Sequence, residues 1–472
     1  MPTFYWYDLE TSGTHRVRDR IMQFAGVRTN HDLEELGEPV ETFVPLPAEV
    51  LPNAESCLIT GLTPQQVNAS TRSEWQVMST IQREFSVPST TIIGFNSIRF
   101  DDEFVRHAFY RNFFDPYSWA YENGNSRADL FPLVMMCAAL RPDGIEWPTD
   151  GSGPTFRQDD LCRANGIVQS RAHTALSDVR STLEIARRLR AAQPRLWQYG
   201  VTDRERSATD LLEKEEPFVH ISPTYGRERW CAAPAAVLAP YPDRKKSLIV
   251  CDLSGSLELL LEGTPSELRA EIFCPKNERP EGWKRPPVAE LRLNAFPMVA
   301  PLATLDDAAE RRTGTSKAEA RDAFKRLQSM HDLKARVVEA FSPIPQNTPD
   351  RMEEERLYDG FIPNADKPLL TKARTALARR QVFGSLGFTD DRLPGLAKRL
   401  RAREFPDLLT EAQRTEHASF VRSRLMQGEP SIEEHLTDLR KKLRQAENEQ
   451  QCAILQSLIE HDELLLAEYC AS

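Results

Sequence analysis

Near the amino terminus the chain reads YDLETSG, in which Asp8 and Glu10 flank a single leucine. The run ahead of them, TFYWY, is aromatic and β-prone, and predicts a strand. Side chains two apart on a strand project from one face, so these carboxylates would stand together. Adjacent carboxylates repel and raise each other's pKa unless a cation lies between them. Oxygen donors of this kind suit a hard divalent ion such as Mg²⁺ or Mn²⁺. Taken alone, a D-x-E is more often the acidic end of a strand running into solvent. Two further stretches shift that balance. In GFNSIRFDDEFVRHAF an apolar strand ends and Asp101 and Asp102 open a helix. Asp102 or Glu103 can serve the helix amino terminus, which frees Asp101 to face a cleft. In RAHTALSDVRST, His173 lies five residues before Asp178 at the entrance to a long helix. Four carboxylates and one group that titrates near neutrality form the inventory for two-metal phosphodiester hydrolysis.

The surrounding elements must bring these residues together. IMQFAGVRT and ETFVPLP read as further strands. EWQVMSTIQREF, DDEFVRHAFYRNFF and ALSDVRSTLEIARRLRAA have helical spacing, and LFPLVMMCAAL reads as a buried helix. Such alternation over roughly the first 195 residues predicts an α/β sheet covered by helices. From FVHISP to about residue 300, short β-rich runs alternate with Pro- and Gly-rich turns, which suggests a small barrel or sandwich. Beyond that the chain turns helical. Leu436, Leu439, Leu443, Ile454, Leu455, Leu458 and Ile459 mark an apolar stripe that reads as helix-packing core. We divide the 472 residues into domains 1–197, 198–345 and 346–472.

A net charge of −10 disfavours coating of nucleic acid by bulk charge, yet leaves room for a local basic channel. The eight cysteines make no C-x-x-C pair, so buried free thiols in a reducing compartment are expected. No signal-like segment precedes the first strand-like run and no apolar stretch is long enough to span a bilayer. A cytoplasmic location is expected.

The order D-x-E, an acid after a strand, then H-x-x-x-x-D resembles the histidine subtype of the DEDD 3′→5′ exonuclease superfamily. YDLETSGTHR, ITGLTPQQV, GFNSIRFDDEFVRHAFYRNFFDPYSW, ALRPDGIEWP, FRQDDLCRANGI and AHTALSDV are similar to the bacterial exodeoxyribonuclease I family. RLYDGFIPNADK and RLRAREFPDLL extend that similarity into the helical third. The resemblance implies a ribonuclease H-like α/β exonuclease domain, a small SH3-like β domain with a helical extension, and a C-terminal α-helical domain. It implies that Asp8, Glu10, Asp101 and Asp178 hold two Mg²⁺ ions, with Mn²⁺ an alternative, and that His173 is the general base on the attacking water. Glu10 and Thr11 would adjoin the 3′-terminal nucleotide. The implied reaction releases 5′-mononucleotides from single-stranded DNA, in DNA repair and recombination.

Residues 99–127 interleave Arg99, Arg106, Arg111 and Arg127 with Phe109, Tyr110, Phe113, Tyr117, Trp119 and Tyr121. Aromatic faces stack on unpaired bases while arginines meet phosphates. Phe109 and Phe113 are expected in the core. Tyr117 and Tyr121, in a Pro-containing loop, are the stronger contact candidates, with Arg106 beside them. By resemblance, Phe156 and Arg157 meet substrate, and Arg141 is a similar candidate. Between 372 and 403 nine Lys or Arg stand against two acids, which suggests a second basic surface that closes over the strand. The family is associated with the acidic C-terminal tail of single-stranded-DNA-binding protein. Arg141 and Tyr199 are retained near that site, whereas Glu216, Pro301 and Asp306 depart from it. A monomer is expected. Competing readings are an RNA 3′-end trimming nuclease, a non-catalytic single-strand-binding module, and a helical scaffold. The module is disfavoured because all five catalytic side chains are present.

Overall fold

The computed structural model describes residues 2–169, 174–344 and 351–470. It comprises two compact units, one formed by residues 1–127, 169–180 and 349–472, the other by 128–168 and 181–348.

In the first unit, strands β1 (Thr3–Thr11), β2 (Ile21–Thr29), β3 (Val40–Phe43), β4 (Thr90–Gly94) and β5 (Ser126–Asp129) form a sheet of order β3-β2-β1-β4-β5. β1 runs antiparallel to β2 and parallel to β4. Phe4, Tyr5, Trp6 and Tyr7 are all buried, so both faces of β1 are covered, which explains the unbroken apolar run ahead of Asp8. The register shifts between Glu10 and Thr11, so the strand is irregular beside the acidic residues. Helix α1 (Glu74–Phe85) is closed by a Ser73–Gln76 capping box. Helix α2 (Asp101–Arg111) begins seven residues after β4 ends, which sets its first turn near the end of the sheet.

The C-terminal helices belong to the same unit. Leu370, Leu377, Leu393, Leu396 and Leu400 share one core with Trp75, Phe104, Phe109 and Phe113. Leu439, Ile454, Leu455 and Leu458 pack on Val50, Ala54, Cys57 and Val67, with Leu443 and Ile459 partly buried against them. The C-terminal stripe is therefore core, as its spacing predicts.

In the second unit, β6 (Phe218–Ile221), β7 (Ala232–Pro240), β8 (Ser247–Asp252), β9 (Val288–Arg292) and β10 (Met298–Pro301) form an antiparallel sheet of order β10-β6-β7-β8-β9. Its two faces bury separate apolar clusters, around Phe218 and Val299 on one side and Ile249 and Cys251 on the other. The LFPLVMMCAAL segment is a helix, α3 (Leu130–Leu140), buried along nearly its whole length.

Candidate metal centre and single-strand interface

β1 carries Asp8 and Glu10, and the first turn of helix α4 (Ala175–Ala192) carries Asp178. One carboxylate oxygen from each of the three lies within 4.8 Å of the others. The i, i+2 alternation of the strand accounts for the first two. The third arrives because Gln23, opposite Glu10 on β2, accepts the Ala175 N–H through Oε1 at 3.5 Å. The same amide donates to Glu41 through Nε2 at 3.1 Å, which orients it. Asp101 heads α2 and is 6 % exposed. It lies outside the 4.8 Å group, yet its charge acts on Asp8.

Burial, then Asp101, Glu10 and Asp178 in that order, pushes the Asp8 carboxyl well above its usual range. Burial and Asp178 push Glu10 up to about 8. Side chains so placed hold protons at neutral pH or share a cation. Among the described residues each donor is a carboxylate oxygen, which fits a hard divalent ion. His173 lies outside the described residues.

The adjacent aspartates at 101 and 102 divide their tasks. Asp102 is 2 % exposed and does not cap the helix: its Oδ1 accepts from the Tyr7 hydroxyl at 2.5 Å and its Oδ2 from Arg127. Arg127 is thus tied into the interior. Arg111 is too, where its Nε donates to Glu74 at 2.9 Å. Of the four arginines in this stretch, Arg106 pairs with Glu103 at 2.8 Å and lies over the Tyr117 ring, and Arg99 is exposed. Phe109 and Phe113 are core, as expected, and Trp119 joins them.

Tyr121 is 62 % exposed. Tyr117 makes ring contacts with Tyr358 and Phe361, both exposed, which sequence reasoning overlooked. They occur in RLYDGFIPNADK, where the aromatics are too widely spaced to form a pattern of their own. Tyr358 also donates its hydroxyl to Glu103 at 2.6 Å. The Thr11 hydroxyl donates to the Gly13 carbonyl at 2.7 Å.

In the second unit, Arg157 is exposed at the start of the helix Gln158–Ala164. Phe156 is expected above to touch substrate, but its ring is buried against Phe131 and Trp147, so it seats Arg157 instead of offering a free face. Arg141 pairs with Asp306 at 3.5 Å and donates to the Thr304 carbonyl at 3.1 Å. The Tyr199 hydroxyl donates to the Val299 carbonyl.

The basic run at 372–403 is not one surface. Arg392 is buried against Asp390 at 2.7 Å, and Arg399 pairs with Glu353 at 2.9 Å and Glu354 at 3.3 Å. Arg403 lies within 3.9 Å of Glu49 and Glu74. Lys372, Arg379, Arg380 and Lys398 remain exposed.

Family models match three consecutive regions: "Exonuclease" at residues 5–186, "Exonuclease I SH3-like domain" at 204–343 and "Exonuclease I C-terminal domain" at 352–465. The chain is 35 % identical over 469 residues to the exodeoxyribonuclease I of Haemophilus influenzae, covering 98 % of this chain and 99 % of the relative. It is 36 % identical over 416 residues to that of Escherichia coli, covering 87 % of each. Among solved structures, exonuclease I of Methylocaldum szegediense aligns at a TM-score of 0.91 and 37 % identity over 99 % of this chain and 100 % of that one. Escherichia coli exonuclease I in complex with a dA16 oligonucleotide aligns at 0.94 and 33 % identity over 98 % and 100 %.

Proposed function

Because the chain belongs to the exodeoxyribonuclease I family, we propose that its acidic cluster hydrolyses single-stranded DNA from the 3′ end. It is a 3′→5′ exonuclease, and its chemistry is metal-dependent phosphodiester hydrolysis. The convergence of Asp8, Glu10 and Asp178 carries this reading, with Asp101 adding its charge at Asp8.

In the mechanism we propose, Asp8, Glu10, Asp101 and Asp178 would hold two Mg²⁺ ions. When bound, such ions acidify water and neutralise charge on phosphate oxygens. His173 accepts the proton of the attacking water, a task suited to a group that titrates near pH 6.5, roughly. Glu10 and Thr11 flank the terminal sugar. Tyr117, Tyr358, Phe361 and Tyr121 receive unpaired bases, and Arg106, Arg157 and Arg141 meet phosphates. Phe131 and Trp147 keep Phe156, and with it Arg157, in place.

We further propose three modules, at 1–197, 198–345 and 346–472, in a cytoplasmic monomer that serves DNA repair and recombination. No helix among the described residues is long and apolar enough to cross a membrane. The acidic tail of single-stranded-DNA-binding protein is a proposed partner. It would have to displace Asp306 from Arg141, which predicts weak docking.

The test is a degradation assay on 5′-labelled single-stranded DNA, duplex DNA and RNA, with and without Mg²⁺, with Asp178→Ala in parallel. Stepwise shortening of the single strand from its 3′ end, only with metal and only in the unsubstituted protein, is expected. Digestion from the 5′ end, or full activity of Asp178→Ala, would overturn the assignment.

A further inference from the structure

The metal-binding face of β1 has a reverse side. Strand alternation places Tyr7 opposite Asp8 and Glu10, in the apolar core with Tyr5 and Leu9. Its ring contacts Phe24 and Phe85 at centroid separations of 6.4 and 5.2 Å. Asp102 enters this core from α2. A carboxylate there costs several kcal/mol unless it is paired and hydrogen-bonded, by the general scale for buried charge. Both its oxygens are satisfied, one by the Tyr7 hydroxyl at 2.5 Å and one by Arg127. The Arg127 guanidinium in turn lies 5.8 Å from the Trp119 ring centre, which limits its freedom.

Three chain segments meet at this carboxylate: β1 through Tyr7, α2 through Asp102 and the start of β5 through Arg127. Tyr7 immediately precedes Asp8, and Asp102 immediately follows Asp101. The first turn of α2 has no side-chain cap, since Phe100 occupies the N-cap position. The Tyr7–Asp102–Arg127 contacts leave the N–H groups of that turn uncapped but fix where the helix end lies, from the side away from the metal face.

We propose that Tyr7 and Arg127 are positioning residues that hold Asp101 in register with Asp8 and Glu10 by clamping Asp102. This rests on the metal reading above. A ligand held on a hinged helix end must be ordered each time a cation binds. A clamped one is ordered beforehand, and loss of outer contacts of this kind typically weakens metal binding by 10- to 100-fold.

The direct test is Tyr7→Phe, which deletes one hydroxyl and leaves the packed ring. Mn²⁺ binding is measured by titration calorimetry, and hydrolysis is followed as a function of Mn²⁺ concentration. Single-strand affinity in EDTA serves as the control. We expect Mn²⁺ to bind about tenfold more weakly. The metal concentration for half-maximal rate should rise by the same factor, with the EDTA affinity unchanged. Arg127→Met should do the same or more, and Arg127→Lys should recover part of the loss. Wild-type Mn²⁺ affinity in Tyr7→Phe, at unchanged thermal midpoint, would overturn the clamp. An unsubstituted protein that binds no Mn²⁺ would overturn the metal reading itself, and the clamp with it.

Discussion

Two carboxylate clusters lie in the first unit, one half-buried and one buried, and their environments push them in opposite directions. At the candidate metal centre Asp8, Glu10 and Asp178 face one another, with the charge of Asp101 acting on Asp8, and burial and mutual repulsion raise Asp8 and Glu10. In the second group, Glu74, Glu354 and Glu49 face Arg20, Arg111, Arg399 and Arg403. Burial alone would raise these acids as well. Against it, Arg111 and Arg403 pull Glu74 down to about 2, and Arg20, Arg399 and Arg403 hold Glu354 far below the glutamate range. Burial is thus common to both groups, and the neighbours set the sign. Where the chain supplies guanidinium groups, the cluster is complete and structural. Where the neighbours among the described residues are other carboxylates, the match we propose is a cation from solution.

This contrast can be tested at several points, beginning with the largest effect. Removing a metal-centre carboxylate should abolish chemistry without unfolding the protein. Asp8→Ala is expected to lower the hydrolysis rate by at least 10⁴-fold, roughly 5 kcal/mol of transition-state stabilisation. Its thermal midpoint without metal should stay level or rise, because like charges are relieved. A rate within tenfold of wild type would break the comparison on this side.

The arginine-matched group should behave in the reverse manner. Glu354→Ala leaves buried guanidinium groups without their partner and should cost about 3 kcal/mol or more of stability in denaturant melts. Turnover by the folded fraction should change little. Reversing Arg399 to Glu should likewise destabilise the fold before it alters processivity, because that side chain is only 11 % exposed and faces two glutamates. A stable Arg399→Glu protein with shortened runs would restore the surface reading of this segment.

The single-strand contacts come next. Phe361→Ala and Tyr117→Ala should each raise KM by an amount corresponding to about 1–3 kcal/mol per lost stacked base, with kcat nearly unchanged. Tyr121→Ala, at an exposed loop, should have the smallest effect of the three. Equal KM values across all four proteins would remove the aromatic platform.

The pH dependence separates the two groups with the smallest perturbation. Glu10 in the fold titrates near 8, above its value in the unfolded chain, so the native state binds the extra proton between those values. That contribution to metal-free stability is complete below the unfolded glutamate pKa and is lost as pH rises through about 8. Cation binding expels the proton, so Mn²⁺ affinity should rise by about tenfold per pH unit for each proton displaced. Glu74 has the opposite sign: its contribution is present above the unfolded value and is lost only as pH falls toward about 2. Thermal melts at pH 6 and 8.5, with and without Mn²⁺, should show a larger metal-induced rise at the higher pH. In Glu10→Gln that difference should shrink. An equal rise at both pH values in the unsubstituted protein would contradict the assignment.

Much of this was legible in residue order. The D-x-E pair and the C-terminal apolar stripe follow from periods of 2 and 3.6 that neighbouring residues carry, and the buried LFPLVMMCAAL helix from an unbroken apolar run of eleven residues. What escaped were contacts made across long separations. Arg20 meets Glu354, and Ser73 meets Glu404 at 2.6 Å, pairs that no local pattern couples. Arginines at 111, 127, 392, 399 and 403 look like solvated or DNA-facing charge until their distant or turn-forming partners are known. The task of Asp102 escaped for the same cause: it is held by Tyr7 and does not cap the helix, and Tyr7 reads from sequence as one more apolar residue of a strand. Gln23 was invisible as well, because its amide acts on a helix that begins 152 residues later.

The most direct measurement is an anomalous difference map from crystals soaked in Mn²⁺. The account predicts strong peaks bounded by the carboxylates of Asp8, Glu10 and Asp178, with Asp101 reaching the same ions and no peak beside Glu74 or Glu354. Peaks confined to other surfaces, or an empty cluster at saturating Mn²⁺ and alkaline pH, would contradict it.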